Sequence, residues 1–171
     1  MKKEKSALEV WQRGPIPGIP ALLQPVAHAL LQAQEEIHLL MVDFDNQLLW
    51  QQPAGLASPA FHLQHISGVI DRLFTYAKEL PLTTKQLELL GNEGKQNTME
   101  TVASLVEKLD ETIAIAIADL SFTDTTTLSE FRAVGRARLP STVIGLLIHA
   151  AEHTMRHLGQ LLVTVKVLKA T

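Results

Sequence analysis

Apolar residues recur along this chain at helical spacing in four long segments. In the first, about residues 20–42, Leu23, Ala27, Leu30, Leu31, Ile37 and Met41 share a face with Gln34, which marks an amphipathic helix. Asp43 to Asn46 end it. A second helix is expected from Ser58, a favoured N-cap, with Pro59 in the first position, to about Glu79 before Pro81. The third spans about residues 99–120, with Asn97 or Thr98 as cap and a stripe of Val102, Leu105, Val106, Leu109, Ile113 and Ile117. The fourth starts at Ser141 after Pro140 and runs to about Lys169. Residues 84–90 read as a short helix, 91–97 as a loop, and 131–139 as an extended segment or hairpin. Four amphipathic helices without strand alternation predict an all-α four-helix bundle. Its two long connections argue against up-down-up-down order.

A chain of 171 residues is expected to form one domain over 1–171, with 1–19 as an N-terminal extension. Residues are 46% hydrophobic and 19% charged, so a core is assured and a partner subunit is expected to cover part of the surface. A net charge of -3 without a concentrated basic surface gives no reason to expect nucleic acid. No cysteine is present, which removes disulfides and thiolate ligands. The start, Met-Lys-Lys-Glu-Lys-Ser, is basic but no apolar signal core follows it, and no run of about 18 apolar residues exists to span a membrane. The expected compartment is the cytoplasm.

Candidate chemistry sits in the fourth helix, where His149, His153 and His157 come at every fourth residue. Each step moves about 6 Å along the axis and about 40° around it, so the imidazoles form one stripe. The same rotational reading puts Gln160 and Thr164 on the histidine face. Neighbouring histidines at this spacing can grip one ion. The outer two stand about 12 Å apart along the axis, too far for bonds of about 2 Å to one ion. A metal site, a buried hydrogen-bond network and a solvated face all fit the stripe. A further ligand must come from another helix, and the second offers His62 and His65. By rotation His62 points closer to the core face of Ile66, Val69, Ile70 and Leu73. His28 and His38, single residues on the first helix, are expected to be hydrogen-bonded boundary residues.

The segments Ser58-Pro-Ala-Phe-His-Leu-Gln-His-Ile, Asp71-Arg-Leu-Phe-Thr-Tyr and Leu139-Pro-Ser-Thr-Val-Ile-Gly-Leu-Leu-Ile-His, and above all Glu152-His-Thr-Met-Arg-His-Leu-Gly-Gln, resemble the DinB-like superfamily of bacterial metal-binding four-helix bundles. The resemblance implies a bundle with long crossovers, frequently a homodimer. It implies one divalent ion, nickel or zinc, on His65, His153 and His157, and leaves His62 and His149 as pocket or supporting residues. It also implies thiol-dependent chemistry of the kind found in bacillithiol-type S-transferases and mycothiol-dependent isomerases, with a low-molecular-weight thiol as partner. A non-catalytic metal-binding dimer, a metal-dependent hydrolase and a purely structural histidine network are the alternatives. Glu152 is expected to orient a histidine or to pair with Arg156 one turn on. Arg156, Arg132, Arg136 and Arg138 are candidates for meeting an anionic substrate. Gln160 is expected at a metal-bound ligand or bonded to the first helix. Trp50 and Phe61 read as core.

Overall fold

A computed structural model describes residues 8–170; the basic start at 1–6 lies outside them. Helix α1 (Gln24–Met41) grows out of a 3₁₀ turn at Ala21–Leu23 and turns Val26, Leu30, Ala33 and Ile37 inward. Helix α2 (Pro59–Ala77) begins as expected, with the Ser58 hydroxyl accepting the Phe61 amide at 3.2 Å. It stops at Ala77 rather than Glu79. Glu79 takes a left-handed φ of 60°, and the amides of Glu79 and Leu80 fold back onto the Tyr76 and Thr75 carbonyls. That is a Schellman ending, which consumes the last free carbonyls of the helix.

The short α3 (Thr84–Asn92) and the long α4 (Val102–Phe122) both start in capping boxes, Thr83 with Gln86 and Thr101 with Ser104. α4 therefore begins after Thr101, not at Asn97 or Thr98. Reciprocal bonds from Ser104 select Thr101, while Asn97 accepts the Met99 amide inside the loop. Residues 131–139 resolve into a hairpin, β1 (Phe131–Val134) against β2 (Leu139–Thr142), antiparallel with Phe131 opposite Thr142. Helix α5 (Val143–Ala170) starts two residues later than expected because Ser141 and Thr142 pair with β1. The Thr142 hydroxyl then accepts the Gly145 amide.

Packing explains the long connections. α1 and α2 each pack against both α4 and α5, so the consecutive α1 and α2 are diagonal, as are α4 and α5. The chain must cross the bundle end to pass from one member of a diagonal to the other. Leu30, Ile37, Leu63, Ile66, Leu109 and Leu161 are fully buried in one continuous apolar cluster drawn from all four long helices. Each such side chain contributes about 1.5–3 kcal/mol on burial. Residues 8–19 lie along α1. The Val10 amide bonds to Gln32, and Arg13 grips Glu35 with two hydrogen bonds. Among the described residues, no helix is long and apolar enough to cross a membrane.

Candidate metal centre

α2 and α5 run antiparallel where they meet, because their histidines pair in reverse order. His62 Nδ1 lies 3.0 Å from His157 Nδ1, and His65 Nε2 lies 3.0 Å from His153 Nε2. A three-residue step on one helix thus matches a four-residue step on the other. His65, His153 and His157 each offer a ring nitrogen within 4.8 Å of the others. The ring centroids of His65 and His157 are 4.5 Å apart, and those of His153 and His157 4.6 Å. Nitrogens about 2 Å from a common ion stand about 3.4 Å apart in a tetrahedron. His65 Nε2 and His153 Nε2, 3.0 Å apart, are close to that spacing, and the other pairs lie within 4.8 Å.

The protonation pattern suits ligation. His65 Nδ1 lies 2.6 Å from the Glu93 carboxylate, so that nitrogen carries the proton and Nε2 presents its lone pair toward His153. The other Glu93 oxygen accepts Arg72 Nη1 at 2.6 Å. Phe61, expected as core, stacks face to face on the His65 ring at 5.1 Å and 13° and limits its rotation. Burial, reinforced by the nearby His65, pushes His62 and His157 down to about 4. His153 is lowered first by burial, then by His65, His149 and Arg156, against a smaller opposing pull from Glu152. These rings are neutral at pH 7, the form that binds metal. His153 Nδ1 is buried and has no hydrogen-bond partner among the described residues.

Those lowered values set a pH window. A histidine charged in the unfolded chain near its ordinary 6.5 but neutral in the fold down to about 4 stabilises the fold above 6.5, and the contribution is lost as pH falls toward 4. The metal-free protein is therefore expected to lose melting temperature steadily between about pH 6.5 and 4. His62→Gln is expected to flatten that slope; thermal melts with parallel slopes for both proteins would contradict it.

Glu93 was not found from the sequence. It follows the last residue of α3, and the loop around it is pinned at several points. The Gly94 amide donates to Gln64 at 2.8 Å, and Gln64 Nε2 donates to Glu100. Gly68 leaves room for the clamp: a Cβ there would collide with Glu93 Oε1 and Arg72 Nη1. Gly68→Ala gains about 1 kcal/mol of helix propensity, equivalent to about 2–4 °C in a chain of this size. Displacing the Arg72–Glu93 pair is expected to cancel that gain and weaken metal binding by about tenfold. A melting temperature raised by the full propensity gain, with unchanged affinity, would refute this.

The remaining candidates take different places. His62 is buried and touches His157. His149 is half-exposed, with Nδ1 3.4 Å from Glu152, whose other oxygen holds Arg156. Gln160 is exposed and bonds neither to the histidines nor to α1 among the described residues. The way α5 sits in the bundle explains this. His149 and Gln160 lie on its solvent edge; turning inward around the axis, His153 is partly buried and Thr164 is buried. Arg132 is used elsewhere: its Nε donates to the Ala77 carbonyl at the far end of α2, about 18 Å along the axis from His65. Arg136 and Arg138 are exposed on the hairpin turn. His28 bonds to the Gly14 carbonyl and His38 to Asp110, the boundary roles expected of them. Trp50 packs against the core.

Fold and site together define an all-α bundle with diagonal crossovers and a histidine cluster between two antiparallel helices. The chain belongs to the DinB superfamily, whose family model matches residues 23–161. Among solved structures it is similar to a Streptococcus pneumoniae protein at 17% identity and a TM-score of 0.61, over 85% of this chain and 88% of that one. That likeness is one of fold. No curated protein matches the chain.

Proposed function

We propose that this chain binds one divalent ion, nickel or zinc, through His65, His153 and His157, and uses it to activate a low-molecular-weight thiol for transfer to an electrophilic acceptor. The carrying observation is the convergence of three ring nitrogens from two helices within 4.8 Å of one another. Nickel and zinc both accept imidazole ligands. The ion supplies Lewis acidity, and a thiol that coordinates it is deprotonated outright.

The protein's own contribution is orientation. Glu93 fixes the His65 tautomer, His62 holds Nδ1 of His157, and Phe61 covers the His65 ring. Thiol activation is favoured over hydrolysis by the state of the carboxylates. Glu93 is spent on His65 and Arg72, and Glu152 on Arg156 and His149, so neither stands ready as a general base for water. A homodimer is supported by Ile148, Met155 and Leu162, spaced by seven along α5 and at least a third exposed.

Elemental analysis of tag-free protein, followed by a panel of thiols with an electrophilic acceptor, tests the proposal. About one ion per chain and metal-dependent thiol consumption are expected. Less than about 0.1 ion per chain, with no uptake of added nickel or zinc, would sink it. Full occupancy without turnover of any thiol would leave a metal-binding bundle without thiol-transfer activity.

A further inference from the structure

A second group of potential ligands lies one helical turn outward on α5. His149, Glu152 and His153 each offer an atom within 4.8 Å of the others, and this group shares His153 with the inner set. The His149 and His153 rings are 5.3 Å apart. Exposure falls along this line: the His149 side chain is 53% accessible and Glu152 47%, whereas His65 is 20% accessible. His153 has one nitrogen toward His65 and a second that is buried and without a partner among the described residues.

We propose that His149, Glu152 and His153 form an outer seat that captures a divalent cation from solvent and hands it to the inner set of His65 and His157, with His153 as the ligand common to both. The inference rests on the inner set being the resting site. Two imidazoles and a carboxylate are a sound first grip for zinc or nickel. Arg156 keeps that grip weak, because its guanidinium holds one Glu152 oxygen and its charge opposes an arriving cation. Weak binding is what a transfer position requires, since an ion held tightly there would not move on. His149 is about one helical turn from His153, so the ion moves by exchanging ligands around one shared imidazole rather than by leaving the protein.

The test uses metal-free, tag-free full-length protein and zinc, with a chromophoric chelator reporting uptake and release in a stopped-flow mixer. In the proposed pathway His149 speeds both directions and leaves the resting site unchanged. His149→Ala is expected to slow uptake and chelator-driven release by the same factor, at least about tenfold, with equilibrium affinity preserved. Glu152→Gln is expected to behave alike. In the double variant His65→Ala with His157→Ala the inner site disappears, and zinc remains weakly bound at the outer seat; adding Arg156→Gln is expected to strengthen that weak binding.

Wild-type rates in His149→Ala would overturn the outer seat while leaving the inner site standing. A loss of equilibrium affinity in His149→Ala, without matched slowing of both rates, would also overturn it and make His149 a resting ligand or a support of one. No residual zinc in the His65→Ala, His157→Ala double variant would overturn it likewise. Failure of the wild type to bind zinc at all would instead remove the inner site on which the inference stands.

Discussion

His153→Ala is expected to abolish divalent-metal binding, a loss beyond the roughly 100-fold that follows removal of a ligand's hydrogen-bond partner. His153 stands at the centre of the cluster, 3.0 Å from His65 by Nε2 and with its ring beside that of His157. Without it only His65 and His157 remain, on different helices, and the i, i+4 chelate of α5 is gone. His28→Ala removes an imidazole of the same chemistry from a position where it bonds to the Gly14 carbonyl, away from the cluster. That variant is expected to keep wild-type affinity. Competition titrations of zinc against a chelator on both variants check the pair, and equal effects would contradict the assigned ligands.

Glu93→Ala is expected to damage affinity and stability together. Affinity falls about 10–100-fold, because His65 loses the acceptor that fixes its tautomer and orientation. Stability falls by about 3–5 kcal/mol, because Arg72 is left charged and unpaired with an 11% exposed side chain. Glu93→Gln separates the two effects. Its amide oxygen can still accept from His65 but gives Arg72 no charge, so affinity is expected to recover more than stability.

The pH dependence follows from the same group. Burial works to raise the Glu93 carboxyl, but hydrogen bonds from His65 and Arg72 outweigh it and hold the group below its ordinary 4.5. Its contribution is therefore complete above about 4.5 and is lost as pH falls through the lowered value. Urea unfolding of wild type and Glu93→Gln at pH 7 and below 4.5 measures this. A difference in stability between the two proteins that does not shrink on acidification would refute the account.

Several of these features were legible in the residues alone. The four apolar stripes located the long helices, and Ser58-Pro59 marked the start of α2, because caps and periodicity are local. Where two local signals competed, tertiary structure chose between them. Asn97 and Thr101 are both good caps, and the reciprocal bond from Ser104 decided the matter. Ser141 and Thr142 were claimed by strand pairing before the helix could take them.

The histidine face was partly legible. Rotation correctly placed His62 nearer the core, where it is buried, but rotation of one helix cannot give the register between two. Antiparallel docking brings both His62 and His65 to α5, each opposite a different histidine. The His65 assignment came from resemblance and not from geometry. Glu93 was beyond reach for another reason. A buried Arg72 requires a carboxylate, yet nothing local says which of the chain's acidic residues will be folded over it; the space above Gly68 is visible only in three dimensions.

The pairing of α2 with α5 has a mechanical consequence. His65 and His153 are separated by 88 positions in the chain. An ion bound as proposed would be a removable cross-link, tying two distant stretches of polypeptide as a disulfide would in a chain that has no cysteine. Closing so long a loop restricts the unfolded ensemble heavily. By mass action, free metal at one hundred times its dissociation constant adds about 2.7 kcal/mol to folding stability. On the proposed site, the lifetime of the folded protein would thereby be tied to how much metal its surroundings can spare.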